Sequence, residues 1–174
     1  MTDPLPKIEL ESYRGPIHIS PAPPKPPKLT IRLVGSPIRV HPNDIEVIDR
    51  LSAVCFGWRI GHQSHAYHWL AYDRLADGCM EPVAFASMQV INESRAFFAS
   101  VGVLPEYRGR GLQRRFVRLA ERLASGIGMT EVVATVVYNN WPSMNNFIRC
   151  GYVTYVPEML WGVSKTVYFR KWLR

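Results

Sequence analysis

Residues 104–116 read LPEYRGRGLQRRF. An apolar run, AFFASVGVL at 96–104, leads into this stretch. Beyond it, Leu112, Phe116, Leu119, Ala120, Leu123 and Ile127 recur at helical spacing. The order is strand, glycine-rich turn, helix, and that order builds an anion site. The free amides of a first helical turn point outward, and the aligned peptide dipoles add partial positive charge there. Gly109 and Gly111 remove side chains where a pyrophosphate must approach the backbone. Arg108, Arg110, Arg114 and Arg115 stand ready to add charge-assisted bonds. Other nucleotide motifs are missing: the chain has no GxxxxGK[ST], and no GxGxxG followed by an acidic residue at the end of a second strand.

Working upstream, LTIRLV at 29–34 reads as a strand, and HPNDIEVIDRLSAVCF at 41–56 as a loop followed by a helix. Asn43 or Asp44 is its expected N-cap, with Ile45, Ile48, Leu51, Ser52 and Cys55 on the inner face. GWRIGHQSH at 57–65 is irregular. AYHWLAYD, PVAFASMQVI and AFFASVGVL then form three strands, separated by a turn at Asp77–Gly78 and by NES at 92–94. Such short connections predict an antiparallel meander. Downstream, Gly126 and Gly128 signal the end of the long helix. EVVATVVY at 131–138 is a β-branched strand, and WPSMNNFIRC a short helix with Pro142 in its first turn. Gly151 closes that helix, and YVTYV and KTVYFRKWL are the closing strands. The fold class is α/β: a mixed, mostly antiparallel central sheet flanked by helices.

The chain has 174 residues, 47 % hydrophobic and 20 % charged, enough for one substantial core. Residues 1–28 carry PAPPKPPK and read as an extended proline-rich arm, with the folded domain spanning 29–174. No apolar run is long enough to cross a membrane, and no signal-like segment opens the chain, so a cytoplasmic location is expected. Cys55, Cys79 and Cys150 are odd in number and far apart, which predicts buried reduced thiols instead of disulfides or zinc ligands. His62, His65 and His68 lack HExxH or a nearby carboxylate, so no metal site is expected. The net charge of +7 favours anionic partners, among which a CoA-like ligand and nucleic acid both qualify.

At two places the sequence resembles the GNAT family, the GCN5-related N-acetyltransferases. Their acetyl-CoA motif is a strand ending in a V-x-P-like segment followed by (Q/R)-x-x-G-x-(G/A). Here the strand end is Val101-Gly102-Val103-Leu104-Pro105, and the motif is Arg108-Gly109-Arg110-Gly111-Leu112-Gln113. Gln113 departs from the usual small residue, so its side chain must point away from the phosphates. The second signature is an Asn about seven residues before an aromatic, then Gly-aromatic. It is met by Asn140, Phe147 and Gly151-Tyr152. The resemblance runs from about residue 30 to 174 and is specific over 97–152.

The resemblance implies direct transfer of the acetyl group of acetyl-CoA to a primary amine. Residues 108–113 would then hold the pyrophosphate. The backbone amide of Val103, or of a neighbour such as Val101, would polarise the thioester carbonyl. Asn140 would contact the pantetheine arm or hold the strands apart. Many members use a Tyr where this chain has Phe147, which cannot donate a proton. Tyr138, Tyr152 or Tyr155, a water, or unassisted departure of the thiolate must substitute. The base is equally open, with Glu81, Glu93, Ser100, His65 and His68 as candidates; a Ser100 relay through water is one route. The region after the first helix shapes the acceptor pocket in the family, which points to Trp58, Arg59, His62 and Trp69. Two further readings carry the same motifs: an acyltransferase acting on an amine-bearing nucleic-acid base, and a non-catalytic acyl-CoA-binding module.

Overall fold

The computed structural model describes residues 29–60, 66–161 and 165–174; the proline-rich stretch, His62 and His65 lie outside them. In chain order the elements are β1 (Thr30–Ser36), β2 (Arg39–Val40), α1 (Pro42–Phe56), β3 (Ala66–Arg74), β4 (Met80–Val90) and β5 (Arg95–Val103). A 3₁₀ turn at Pro105–Tyr107 follows, then α2 (Leu112–Gly126), β6 (Glu131–Val137), α3 (Trp141–Arg149), β7 (Val153–Tyr155) and β8 (Thr166–Trp172). The strands form one sheet in the order β2-β1-β3-β4-β5-β6-β8-β7. β3, β4 and β5 are the expected meander, and β5–β6 is the parallel pair among antiparallel ones. None of the described helices is long and apolar enough to cross a membrane.

Strand alternation assigns the two faces. On one face, Trp69 and Ala71 of β3 and Ala84, Ala86 and Met88 of β4 meet Leu112, Phe116, Val117, Ala120 and Ala124 of α2 and Phe147 of α3. The alanines leave room for α2 to lie close, and the fully buried Phe116 fills the space. On the other face, Leu70 and Phe85 pack against Ile48 and Leu51 of α1. Leu104, at the end of β5, touches both clusters.

Two expectations shift. The N-cap of α1 is His41, not Asn43 or Asp44. Pro42 takes the first helical position, and His41 Nδ1 accepts from the Asn43 amide at 3.2 Å. In α2 the inner stripe includes Val117 and Ala124, whereas Ile127 is exposed beyond the helix end. Gly128 and Gly151 follow α2 and α3 at left-handed φ, as the stop signals predicted. The two-residue β2, which pairs with β1 through Gly35↔Val40, has no pattern long enough to read.

One irregularity organises the site. Ser87 pairs with Ser100 but Met88 pairs with Phe98, so Ala99 is an extra residue in β5. A bulge of this kind bends its strand and increases the local twist. Parallel pairing of β5 with β6 stops at Phe98↔Ala134. Beyond it β5 stays with β4 as far as Ala84↔Val103, and β6 stays with β8 as far as Val137↔Thr166. The sheet divides there into two diverging halves.

Candidate active site

A cleft of about 760 Å³ opens where β5 and β6 part. Its walls come from the end of α1, from β5, from the turn at 107–111, from the start of α2, from β6 and from α3. The two ends differ in chemistry. Arg108, Arg114, Arg149, Gln113, Asn140 and Asn146 line the end beside α2 and α3, while Cys55, Phe56, Trp58, Ile60 and Ser100 line the end beside α1.

At the basic end, Gly111 is the N-cap of α2 with φ +74°, and no side chain caps this helix. The first helical bond runs from the Arg115 amide to Gly111 O at 3.1 Å, leaving the Leu112, Gln113 and Arg114 amides without an intrahelical acceptor. Gly109 has φ +76°. A Cβ on Gly109 would meet nothing within 4 Å, and one on Gly111 would meet only Arg114 Nη2, at 3.5 Å. Glycine is therefore demanded here by conformation, not by tight packing, and the space in front of the turn stays open. An uncapped helix start of 15 residues, with bare backbone and cations around it, fits a pyrophosphate group.

The arginines divide. Arg108 Nε donates to Val103 O at 3.2 Å, and Arg114 reaches back over Gly111. Arg110 donates to Glu106 O at 3.0 Å and lies over the Tyr107 ring, while Arg115 donates to Leu29 O, 86 residues away. Arg110 and Arg115 thus brace the fold and do not line the cleft, contrary to the expectation that all four enrich the anion field. Arg149, from the last turn of α3, lines it instead. Helical spacing alone could have placed Arg149 beside Asn146, but only the approach of α3 to α2 makes both cleft residues.

Gln113 resolves its departure from the family pattern. Its Nε2 donates to Ser143 Oγ at 2.7 Å, and its Oε1 accepts from Asn146 Nδ2 at 2.9 Å. The side chain clasps α3, which leaves the Gln113 amide facing the cradle. Asn140 is the N-cap of α3, its Oδ1 accepting from the Ser143 amide at 3.3 Å, so it fixes the wall that Gln113 grips. Leu112 is 2 % exposed and belongs to the core; only its amide is available.

Along the gap, the edge of β5 beyond Phe98 has no strand partner, and Val103 O is taken up by Arg108 Nε. The Leu104 amide donates to Val83 O at 3.0 Å, toward β4. Neighbouring residues of a strand present their amides to opposite sides, so Val103 and Val101 turn theirs toward the gap. Both residues line the cleft. Phe147 also lines it, 2 % exposed, stacked on Phe169 at 5.5 Å and edge-on to Phe98 at 6.0 Å.

Ser100 reaches the cleft on the α1 side, with Ser87 and then His68 beside it in ladder register. His68 Nδ1 and Ser87 Oγ are 2.9 Å apart in the interior. Trp58 is 63 % exposed at the cleft mouth, its ring stacked on Phe56 at 5.6 Å. Ser52 Oγ donates to Trp58 O at 2.7 Å and pins this turn to α1. Trp69, expected beside Trp58, is instead 3 % exposed in the core under α2, because its parity in β3 points it away from α1. Arg59 is exposed and outside the lining.

Tyr152 does not reach the cleft. It is 3 % exposed, edge-on to Phe147 and near Lys171, and burial together with the Glu121 charge pushes its phenol far up. Tyr138 lies beside Lys165 and Tyr155 beside Arg170, and neither lines the cleft. Glu81 and Glu93 are exposed and outside it as well. The tyrosine that does line it is Tyr107, whose hydroxyl donates to Asp73 at 3.0 Å. Of the cysteines only Cys150 is buried; Cys79 is exposed, and Cys55 is half-buried in the cleft wall. Burial raises the Cys55 thiol, with Arg108 opposing that shift and Glu106 reinforcing it. Among the described residues no cluster of His, Cys, Asp or Glu could hold a metal ion.

A family model described as "Acetyltransferase (GNAT) family" matches residues 41–152. No curated protein matches the chain significantly. Among solved structures, Arabidopsis thaliana NAA60 in complex with acetyl-CoA superposes with a TM-score of 0.66 at 17 % identity, over 83 % of this chain and 98 % of its own. The same plant protein with a bisubstrate analogue gives 0.63 at 16 %, over 84 % and 99 %. The spermidine/spermine N-acetyltransferase SpeG from Vibrio cholerae gives 0.59 at 15 %, over 83 % and 95 %. Likeness at such identities establishes a common fold, with the divided mixed sheet and its three flanking helices.

Proposed function

The chain belongs to the GNAT acetyltransferase family, and on that premise we propose that it transfers the acetyl group of acetyl-CoA directly to a primary amine. One observation carries the reading: a bare, cation-flanked helix start opens onto a gap edged by unpaired strand amides. The amides of residues 111–114 and the Arg108 and Arg114 guanidiniums hold the pyrophosphate. The pantetheine arm lies in the gap as a substitute for the missing strand partner of β5. NAA60, of the same fold, is crystallised with acetyl-CoA.

The Val103 amide, with Val101 beside it, then donates to the thioester oxygen. That bond strengthens as the amine attacks and the oxygen takes up negative charge. We assign to Ser100, whose residue lines the cleft, the role of orienting the acceptor nitrogen and passing its proton to water. The collapsing intermediate breaks the C–S bond, leaving the amide and the CoA thiolate. Phe147 gives that thiolate no proton, and Tyr152 is turned into the core. A thiol titrates near about 8.5, so the thiolate is a tolerable leaving group and takes its proton from water.

Calorimetry with CoA, followed by labelled acetyl-CoA against a panel of amines, peptides and DNA, tests the reading. Micromolar binding together with transfer to an amine is the expected result. Binding without transfer to any acceptor makes the chain a binding module, and failure to bind CoA removes every reading based on this cleft.

A further inference from the structure

We propose that the acceptor is a primary amine carried on an aromatic or bulky apolar group with no second positive charge, seated against Trp58 and Phe56; this rests on the acyl-transfer reading above. The two faces of the sheet dictate it. With the anionic donor entering beside α2, the amine must come from the α1 face, where β5 and β6 leave the sheet open. The cleft there is bounded by Cys55, Phe56, Trp58, Ile60, Ser100 and Thr135, and none of them is charged.

No aspartate or glutamate lines any part of the cleft among the described residues. Glu106 acts on Cys55 from outside the lining, is exposed, and is outweighed there by Arg108. A polyamine or free lysine would bring a second ammonium toward this wall, where the described lining holds no carboxylate to replace its water. The rest of the basic end repels it further. An aromatic amine meets the opposite situation. Trp58 offers an exposed ring already held in place by its stacking on Phe56 and by the Ser52 bond to its carbonyl. A pre-set ring of this kind contributes contact area with little ordering to do. Phe56 is itself fixed by its edge contact with Phe85 at 5.9 Å.

The test measures kcat/KM with acetyl-CoA for phenethylamine, tryptamine and a tripeptide with N-terminal Phe, against spermidine, cadaverine and lysine. The first group should lead by ten-fold or more, and the peptide arm tells a free amine from a chain terminus. Trp58→Ala should raise KM for the leading aromatic acceptor at least five-fold while KM for acetyl-CoA stays within two-fold. Trp58→Glu should narrow the gap in favour of cadaverine, which loss of packing alone does not do. A lead for spermidine, cadaverine or lysine, or an unchanged KM in Trp58→Ala, overturns the inference and leaves acyl transfer standing. Transfer to none of the amines by a protein that binds CoA overturns both.

Discussion

Gly111 offers the sharpest test of where the phosphates sit. Replacing it with Asp does two separable things. The backbone must hold a non-glycine residue at φ +74°, which costs about 1 kcal/mol of stability. The new carboxylate also projects into the space kept open in front of the turn, since a Cβ there meets only Arg114 Nη2. At about 5 Å from a phosphate, two unit charges repel by about 0.8 kcal/mol in water and about 3 kcal/mol at an effective dielectric of about 20. The turn is open on one side, so about 2 kcal/mol is the working value, or roughly a 30-fold rise in Kd for CoA. Gly111→Asn is the control: nearly the same shape, equal or better tolerance of left-handed φ, and no charge. Calorimetry at low salt should give Asp roughly 30-fold weaker than Asn, with the ratio shrinking as added salt screens the charges. Thermal melts should show similar losses for the two. An Asp-to-Asn ratio below about three at low salt would falsify the placement of the pyrophosphate at this helix start.

Gln113→Ala removes two hydrogen bonds across the α2–α3 contact, so stability should fall by about 1–2 kcal/mol in urea melts; Kd for CoA should stay within three-fold, because the cradle uses the amide. Phe147→Tyr puts a hydroxyl on a ring that already lines the cleft, and kcat should rise several-fold, with a falling limb at high pH as the phenol ionises. An unchanged kcat and a flat profile would mean that the ring edge does not face the sulfur. Arg95 and Glu131 pair at 2.5 Å with side chains 41 % and 2 % exposed, so the partners are not equivalent. Arg95→Ala strands a buried carboxylate and should cost about 3 kcal/mol or more, whereas Glu131→Gln leaves an arginine that water can reach and should cost clearly less. Equal losses in chemical denaturation would contradict that asymmetry.

Apart from the two-residue β2, the order of elements was legible because each is announced locally. β5, the glycines of the turn and the apolar stripe of α2 follow one another without interruption, and their periodicities differ. Errors concentrate where a tertiary contact decides. His41 displaces Asn43 and Asp44 as the cap of α1 because Pro42 sits best at the first helical position, which moves the boundary back by two residues. Trp69 and Trp58 look alike as residues beside an irregular segment, yet one lies under α2 and the other at the cleft mouth. Telling them apart requires knowing which face of β3 meets α1. Tyr152 has the same history: a hydroxyl close to the motif in sequence, turned by the end of α3 toward Glu121 and Lys171.

The uneven legibility of the cleft has a chemical cause. Holding a pyrophosphate with backbone amides requires left-handed glycines at fixed offsets from a helix start, and such positions tolerate few other residues. A requirement of that kind leaves a visible mark in the sequence. Holding an apolar amine requires only a surface of suitable shape, which Phe56, Trp58 and Ile60 supply because α1 happens to end where β5 and β6 part. Nothing in their spacing distinguishes them from core residues. The same reasoning explains Ala99: one extra residue in β5 opens the sheet, yet an alanine in a strand carries no signal of the bulge it forms. Donor recognition is thus written in residue types, while acceptor recognition is written in where the strands separate. A change of acceptor among proteins of this fold should therefore track the end of α1 and the mouth of the gap, with the glycine turn left as it is.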